Sequence, residues 1–393
     1  MLPNVEAQTL PVIGELTPEA LGLTGERHDA LALAQTLDLP VWKRTDLGQF
    51  ELAGLRPVFG CAELEAVPAD QGVYVADYQT AQAERPELVH TYFGAAVETS
   101  FNKFTALNAA LARDGIVVHV PRNVEVAAPI RVRYRLPEPG VAVFPRTLVI
   151  AEANSRVTVI EEFVSDDLPD TGLVAPVGEI FALDGAEVRF MSVQTLGEQA
   201  YQLGAQVGVA GQDARIFWMS GAVGATVQHV DMDVKLKGNG SELHWLGFTF
   251  GTQTQQLLWA PRVHHIGLST TAQIEWKSAV ADTAYVVFDG MIKIERGAQG
   301  TNSDLRDAVL HLSPRARSDS IPGLEIDANE VKAGHGSTSG QVDEEQLFYL
   351  RTRGLSRNEA LRAIVIGFFN SIVERIPVDD VRDQVLELIE GKF

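Results

Sequence analysis

The sequence predicts a mainly β chain, a right-handed parallel β-helix flanked by helical regions at both ends. Three observations carry this. Between Gly115 and about Gly340 a short unit recurs, in which a turn residue and a small residue are followed by apolar residues two and four places on. Copies start at Asn154-Ser155 (Val157, Val159), Gly185-Ala186 (Val188, Phe190), Asp213-Ala214 (Ile216, Trp218), Gly240-Ser241 (Leu243, Trp245) and Thr271-Ala272 (Ile274, Trp276). The small residues lie 31, 28, 27 and 31 positions apart, and a fixed register of that length points to a solenoid. In it the small residues stack at a turn and the apolar ones form ladders inside, with three of the five tryptophans at one ladder position.

The second observation is period-two alternation. The residues between the apolar positions are polar (Arg156 and Thr158, Glu187 and Arg189, Glu242 and His244), with Phe217 an exception. The third is a shortage of hairpin signals. Lys237-Gly238-Asn239-Gly240 is the only good one, which leaves a β-sandwich as the second choice.

In chain order, residues 1–114 form a mixed, helical N-terminal region. The opening MLPNVEAQTLPVIGE lacks a basic segment followed by an apolar core, so no leader is expected. Thr17-Pro18-Glu19 has the form of a helix start, and Glu26 to Leu37 of a short amphipathic helix closed by Pro40. Trp42 is expected to anchor a core or an interface. Phe101 to Arg113 is another helix, with Phe104, Leu107 and Leu111 on one side. Residues 115–340 are the β-helix. Its last coils look irregular, since Gly300 follows Ala298 where an aliphatic residue is expected, and Ser318 and Ser320 follow Ala316.

Residues 341–393 are a helical C-terminal region. Asp343 caps its first helix, with Glu344 and Glu345 in the opening turn and Gln346 at the reciprocal capping-box position. Gly354 offers a left-handed stop. Ser356 with Glu359 repeats the capping device for a helix carrying Leu361, Ile364, Val365, Phe368, Phe369 and Ile372, which Pro377 ends. Val378, Val381, Val385 and Leu388 mark a third.

Composition narrows the function classes. A formal charge of -20 argues against nucleic acid and anionic membrane surfaces as partners. A single cysteine, Cys61, precludes an internal disulfide framework and any cysteine-based metal site within one chain. No apolar run approaches the ~20 residues of a membrane span, and a cytoplasmic location is expected. No phosphate-binding glycine loop, nucleophile elbow or HExxH is present. The acids Asp231 and Asp233, and Glu161 and Glu162, read as solvated surface. Paired carboxylates on one coil face would instead suit a β-helix carbohydrate-active enzyme, which stays as the alternative.

Among the histidines, His264 and His265 are adjacent and face opposite ways on a strand. His229, His244 and His311 are isolated. His335 differs in setting. It lies among small residues (Ala333, Gly334, Gly336, Ser337) where strand gives way to helix.

The same stretch carries a resemblance. Leu324-Glu325-Ile326, Val331-Lys332, His335, Gly340-Gln341, Asp343 through Leu350, Arg353-Gly354, Gly367-Phe368-Phe369 and Glu374-Arg375-Ile376 resemble, in order and ungapped, the C-terminal signature of the SufB/SufD family of iron–sulfur cluster assembly proteins. Trp42-Lys43-Arg44-Thr45-Asp46-Leu47 and Ala106-Leu107-Asn108 are similar to elements found earlier in such chains. The resemblance implies a non-catalytic subunit of the SUF system. It would pair with a SufB-like paralogue through the β-helix and with the SufC ABC-type ATPase through the C-terminal helices. Glu344, Leu347, Phe348, Leu350, Leu361, Phe368, Phe369 and Ile372 would then serve the ATPase contact.

The resemblance also implies that His335 lies at the cluster-assembly interface, where a nascent iron–sulfur cluster could form and iron could meet the imidazole. No cofactor is expected on the isolated chain, and flavin stays open. Many family members of the SufD branch carry Cys-Ser just before this histidine, whereas this chain has Ala333-Gly334. The lone cysteine nevertheless favours that branch over SufB. The remaining alternative within the family is a self-sufficient homodimeric scaffold.

Overall fold

The computed structural model describes residues 10–65 and 72–393. The leader reading rests partly on residues 1–9, which lie outside the described ones. Among the described residues two sheets run the length of the molecule, one of 14 strands (sheet A) and one of nine (sheet B). From Gly115 onward the strands of each sheet pair in parallel with the next coil, so the chain winds as a parallel β-solenoid. The β-sandwich is thereby replaced; Lys237 to Gly240 turns a solenoid corner between sheets, not a hairpin.

The repeating turn residue has a backbone cause. Asn154, Gly185, Asp213, Gly240, Ser269 and Gly300 all sit at positive φ, between 54° and 77°. Glycine takes that conformation freely and Asn or Asp at modest cost, which is why these types recur there. Each corner N–H donates to a carbonyl of the next coil, as from Gly185 to Gln212 (2.7 Å) and from Ser269 to Gln299 (2.8 Å).

The register corrects the fifth copy of the repeat. Leu243 pairs with Ala272 and Trp245 with Ile274, so the corner pair is Ser269-Thr270, two residues earlier than Thr271-Ala272. Trp218 and Trp245 share a rung, but Trp276 sits one inward position further on, opposite Gly247. A Cβ on Gly247 would fall 2.1 Å from the Trp276 ring, so the missing side chain makes room for the indole. The sixth coil is regular, with Gly300-Thr301 at the corner and Ser303 and Leu305 on the ladder. The irregularity expected at Ala298 and Ala316 came from the wrong frame: Ala316 belongs to sheet A, where Arg317 N donates to Ala284 O.

Inside, the aromatic rungs follow one another, Phe190 to Trp218 at 4.8 Å and Trp218 to Trp245 at 5.4 Å between ring centroids. One rung is polar, and it overturns the surface reading of Glu161. That side chain is 1% exposed and points inward, accepting from Ser192 (2.8 Å), Thr147 (2.8 Å) and Gln206. Burial pushes its carboxyl up to about 7. Glu162 faces outward, yet it too is buried, held by Arg133 (2.8 Å) and Gln384 (2.5 Å).

Helices cover the outer faces. On sheet A lie α1 (Gly25–Thr36), α2 (Tyr78–Glu84), α3 (Pro86–Tyr92) and α4 (Lys103–Leu111). The expected helix start at Thr17 yields only a turn over residues 18–22, because Gly22 at φ +61° ends it. Asn108 ties α4 to the sheet, donating to Pro145 O (2.8 Å) and Ala175 O (2.9 Å). Trp42 stacks on His229 at 4.0 Å while Thr45 bonds the same imidazole at 2.7 Å, so this early element is an anchor for the N-terminal layer.

Beyond α5 (Glu344–Thr352), which packs on α6, sheet B is covered by α6 (Arg357–Val373) and α7 (Asp379–Glu390). Asp343 caps α5 through Glu345 N and Gln346 N, but the reciprocal Gln346 bond is not made. Ser356 and Glu359 form the full capping box of α6. Phe217, the exception to the alternation, is outward-facing and packs under these helices.

Candidate functional site at the open end of the solenoid

The site is built from the last coil. Strand Lys332–Gln341 pairs with Asn302–His311 on one side and is the edge strand of sheet B on the other. Its residues are small and largely exposed, with glycines at 334, 336 and 340. An edge strand presents unpaired N–H and C=O groups along its length, so it is able to accept another strand.

The position of His335 follows from the register. One inward ladder reads Ile130, Val159, Phe190, Trp218, Trp245, Ile274, Leu305 and then His335. Seven apolar rungs thus end in an imidazole. Leu305 covers its inner side and nothing among the described residues covers the other, so His335 is exposed although it occupies a core-facing position. The opposite wall ends likewise: Leu324 and Ile326 extend the rungs of Ile292 and Ile294 and are 37% and 40% exposed. The open end is therefore apolar on one wall and carries an imidazole on the other.

A carboxylate missed in the sequence belongs to this end. Asp307 stands on the next inward rung, opposite Ser337 and diagonal to His335. It is 2% exposed; one oxygen is bonded by Ser337 (3.4 Å) and the other has no partner. Burial pushes its carboxyl up to about 6. The signal was available, since Asp307 sits two places after an inward Leu305, but an acidic residue type pointed to the surface. Among the described residues no three His, Cys, Asp or Glu side chains come together to hold a metal. A metal at His335 would need ligands from a second chain.

A groove of about 440 Å3 adjoins the same strand on its outward side, where Glu275, Lys277, Asp304 and Arg306 alternate with the inward residues. By parity His335 and Asp307 meet it through their backbones only. Several of the other histidines are committed elsewhere. His264 bonds Glu295 at 2.7 Å, His311 bonds Ser318 at 3.0 Å, and His265 is buried between Thr270 and Ser303, its pKa drawn down to about 4 by burial. Cys61 is buried and its thiol is pushed up to about 12, so it carries no thiolate at neutral pH.

The eight candidate ATPase-contact residues divide by burial. Glu344 is exposed, within 3.9 Å of Arg357, and Phe348 is 67% exposed. Leu350, Leu361 and Phe368 are half-buried; Lys277 lies 4.6 Å from the Phe368 ring and donates to its carbonyl. Leu347, Phe369 and Ile372 are buried, the last two against Phe250 and its neighbours on sheet B. Tyr349 (56% exposed) and Leu355 (36%) lie close to Phe348 in sequence, an apolar set that helical periodicity alone did not single out.

Comparison with known proteins gives two matches along the chain. Residues 57–132 match the family described as SufBD protein N-terminal region, and residues 134–368 match SUF system FeS cluster assembly, SufBD core domain. An iron–sulfur cluster assembly protein SufD of Bacillus subtilis (strain 168) is 32% identical over 325 residues, 82% of this chain and 74% of that protein. Iron–sulfur cluster assembly SufBD family proteins of Staphylococcus saprophyticus and Staphylococcus epidermidis are 29% and 28% identical over 310 residues, 79% of this chain and 67% of each protein.

Proposed function

The chain belongs to the SufBD family of SUF-system iron–sulfur cluster assembly proteins and is SufD-like, and we propose that it works there as a non-catalytic subunit that contributes His335 to a cluster-forming interface. The observation that carries this reading is the ladder that ends in His335 on an unpaired edge strand. A partner strand laid along Lys332–Gln341 would bury Leu324 and Ile326 and bring its own ligands to the imidazole. That partner is a SufB-like paralogue. The nascent cluster is cargo, held jointly and released.

The C-terminal helices meet the SufC ATPase in this reading, with Phe348, Tyr349, Leu355 and Glu344 as the surface on offer. Nucleotide-driven movement of the ATPase would act on α5 and α6, and so on the outer face of sheet B that α6 covers, opening or closing the last coil. The chain divides functionally at 114/115 and 340/341 into a covering region, the pairing solenoid and the docking helices.

The test is co-purification of the assembled complex with the host's own partners. Phe348→Ala is expected to lose the ATPase while retaining the paralogue. His335→Ala is expected to retain both and fail to build a cluster during anaerobic loading with iron and a sulfur donor. If neither partner is retained by the unaltered chain, the subunit reading fails. A chain that builds a cluster as a homodimer, without a paralogue, would establish the scaffold alternative instead.

A further inference from the structure

A second cavity, of about 640 Å3, lies in the N-terminal helical layer, between the start of α1 and the α2–α3 pair. Its size is that of an ordinary small-molecule site, about 300–1,000 Å3. Three donors lack partners there. The first is Arg27: Nε donates to Ala110 O at 2.9 Å, while Nη2 is buried with no partner and no carboxylate pairs with the guanidinium among the described residues. A half-buried guanidinium with no counter-charge beside it leaves its remaining N–H groups available to an anion.

The second is Tyr78, 5% exposed, on the cavity lining with its ring 5.0 Å from Phe93. Its hydroxyl has no hydrogen-bond partner among the described residues. The third is the first turn of α1. Its N–H groups have no carbonyl four residues back, Thr24 offers no side-chain cap, and Gly25, at φ +56°, has no side chain to offer. Residues 22–27 line the cavity, so this end of the helix opens onto it. Glu26 is the one acid on the lining, and it is exposed at the rim.

All three features donate and none accepts apart from the phenol oxygen. The missing partner is an anion with several oxygens, since a guanidinium fork, a hydroxyl and a helix N-terminus together suit a tetrahedral oxyanion better than a planar carboxylate. Val89, Phe93 and Leu23 supply an apolar wall beside it. We propose that this cavity binds a small phosphate monoester, with the phosphate on Arg27, Tyr78 and the start of α1 and the organic group against Phe93 and Val89. The site is separate from the cluster-assembly end and does not depend on that reading.

The experiment is calorimetric titration of the full chain with inorganic phosphate and with phenyl phosphate at fixed ionic strength, using chloride as the control. Saturable binding is expected for both, tighter for phenyl phosphate. Arg27→Gln should weaken it by about tenfold or more and Tyr78→Phe by roughly tenfold to a hundredfold, the range for hydrogen bonds to a charged group. Because Arg27 also bonds Ala110, Arg27→Lys supplies a variant that keeps the charge, and Tyr78→Phe removes no hydrogen bond among the described residues. Absence of saturable binding, or binding that Tyr78→Phe and the Arg27 variants leave unchanged, would overturn the proposal.

Discussion

Glu161 offers the most direct test of how the solenoid interior is organised. Its carboxyl has no cation beside it; it is surrounded by Ser192, Thr147 and Gln206, and burial outweighs their three hydrogen bonds to raise it from 4.5 to about 7. A carboxyl with a raised folded pKa holds its proton more tightly folded than unfolded. The folded state therefore gains stability from this group as pH falls from about 7 toward 4.5 and loses it as pH rises through about 7. The full difference corresponds to roughly 3 kcal/mol. Glu161→Gln keeps the shape and removes the titration: the amide can accept from Ser192 and Gln206 and donate to Thr147, whose hydroxyl can turn. Urea unfolding of both proteins between pH 4.5 and 8.5 should show the variant gaining on the parent by about that amount as pH rises. A difference independent of pH would mean that the three donors fully offset burial, and the reasoning would fail.

Three further outcomes follow from packing. Gly247→Ala places a methyl within 2.3 Å of three Trp276 ring atoms and should destabilise by at least ~1–3 kcal/mol, with Trp276→Leu restoring part of the loss in the double variant; thermal unfolding with tryptophan fluorescence reads both. Phe369→Ala, at a site with 0% exposure, should cost about 3–5 kcal/mol and raise hydrogen exchange in α6 and α7 before the solenoid. His335→Ala should shift stability by less than ~0.5 kcal/mol, because the imidazole is exposed and unbonded, while cluster formation by the complex is lost. A large drop in melting temperature would make His335 a structural residue.

Much of this architecture was legible because two local rules repeat. A corner needing positive φ selects Asn, Asp or Gly, and a strand with one face inside alternates every second residue. The same rules explain the errors. A slip of two residues leaves the inward face inward, so period alone could not reject the frame that put Trp276 level with Trp245; only the void at Gly247 decides it. Glu161 was misplaced because residue type was allowed to override parity, and Asp307 was passed over. At the site, His335 stood out by its neighbours. Its place on the last rung required the whole ladder, and the burial of Phe369 against the exposure of Phe348 required knowing which helix face meets sheet B.

The spacing of the coils bears on how the chain is made. From Arg156 onward each strand of sheet B pairs with one about thirty residues behind it, and no coil waits for the far end of the protein. At ~5–20 residues per second, a ribosome would release the partner of each waiting strand every few seconds. The growing edge is thus open only briefly, coil after coil, until synthesis reaches Gln341. In sheet B the strand left without a successor is the one that bears His335, and α6 and α7 emerge afterwards to cover the face of that sheet but not its edge. The nascent protein therefore leaves the ribosome with the edge of its last coil still open and facing outward.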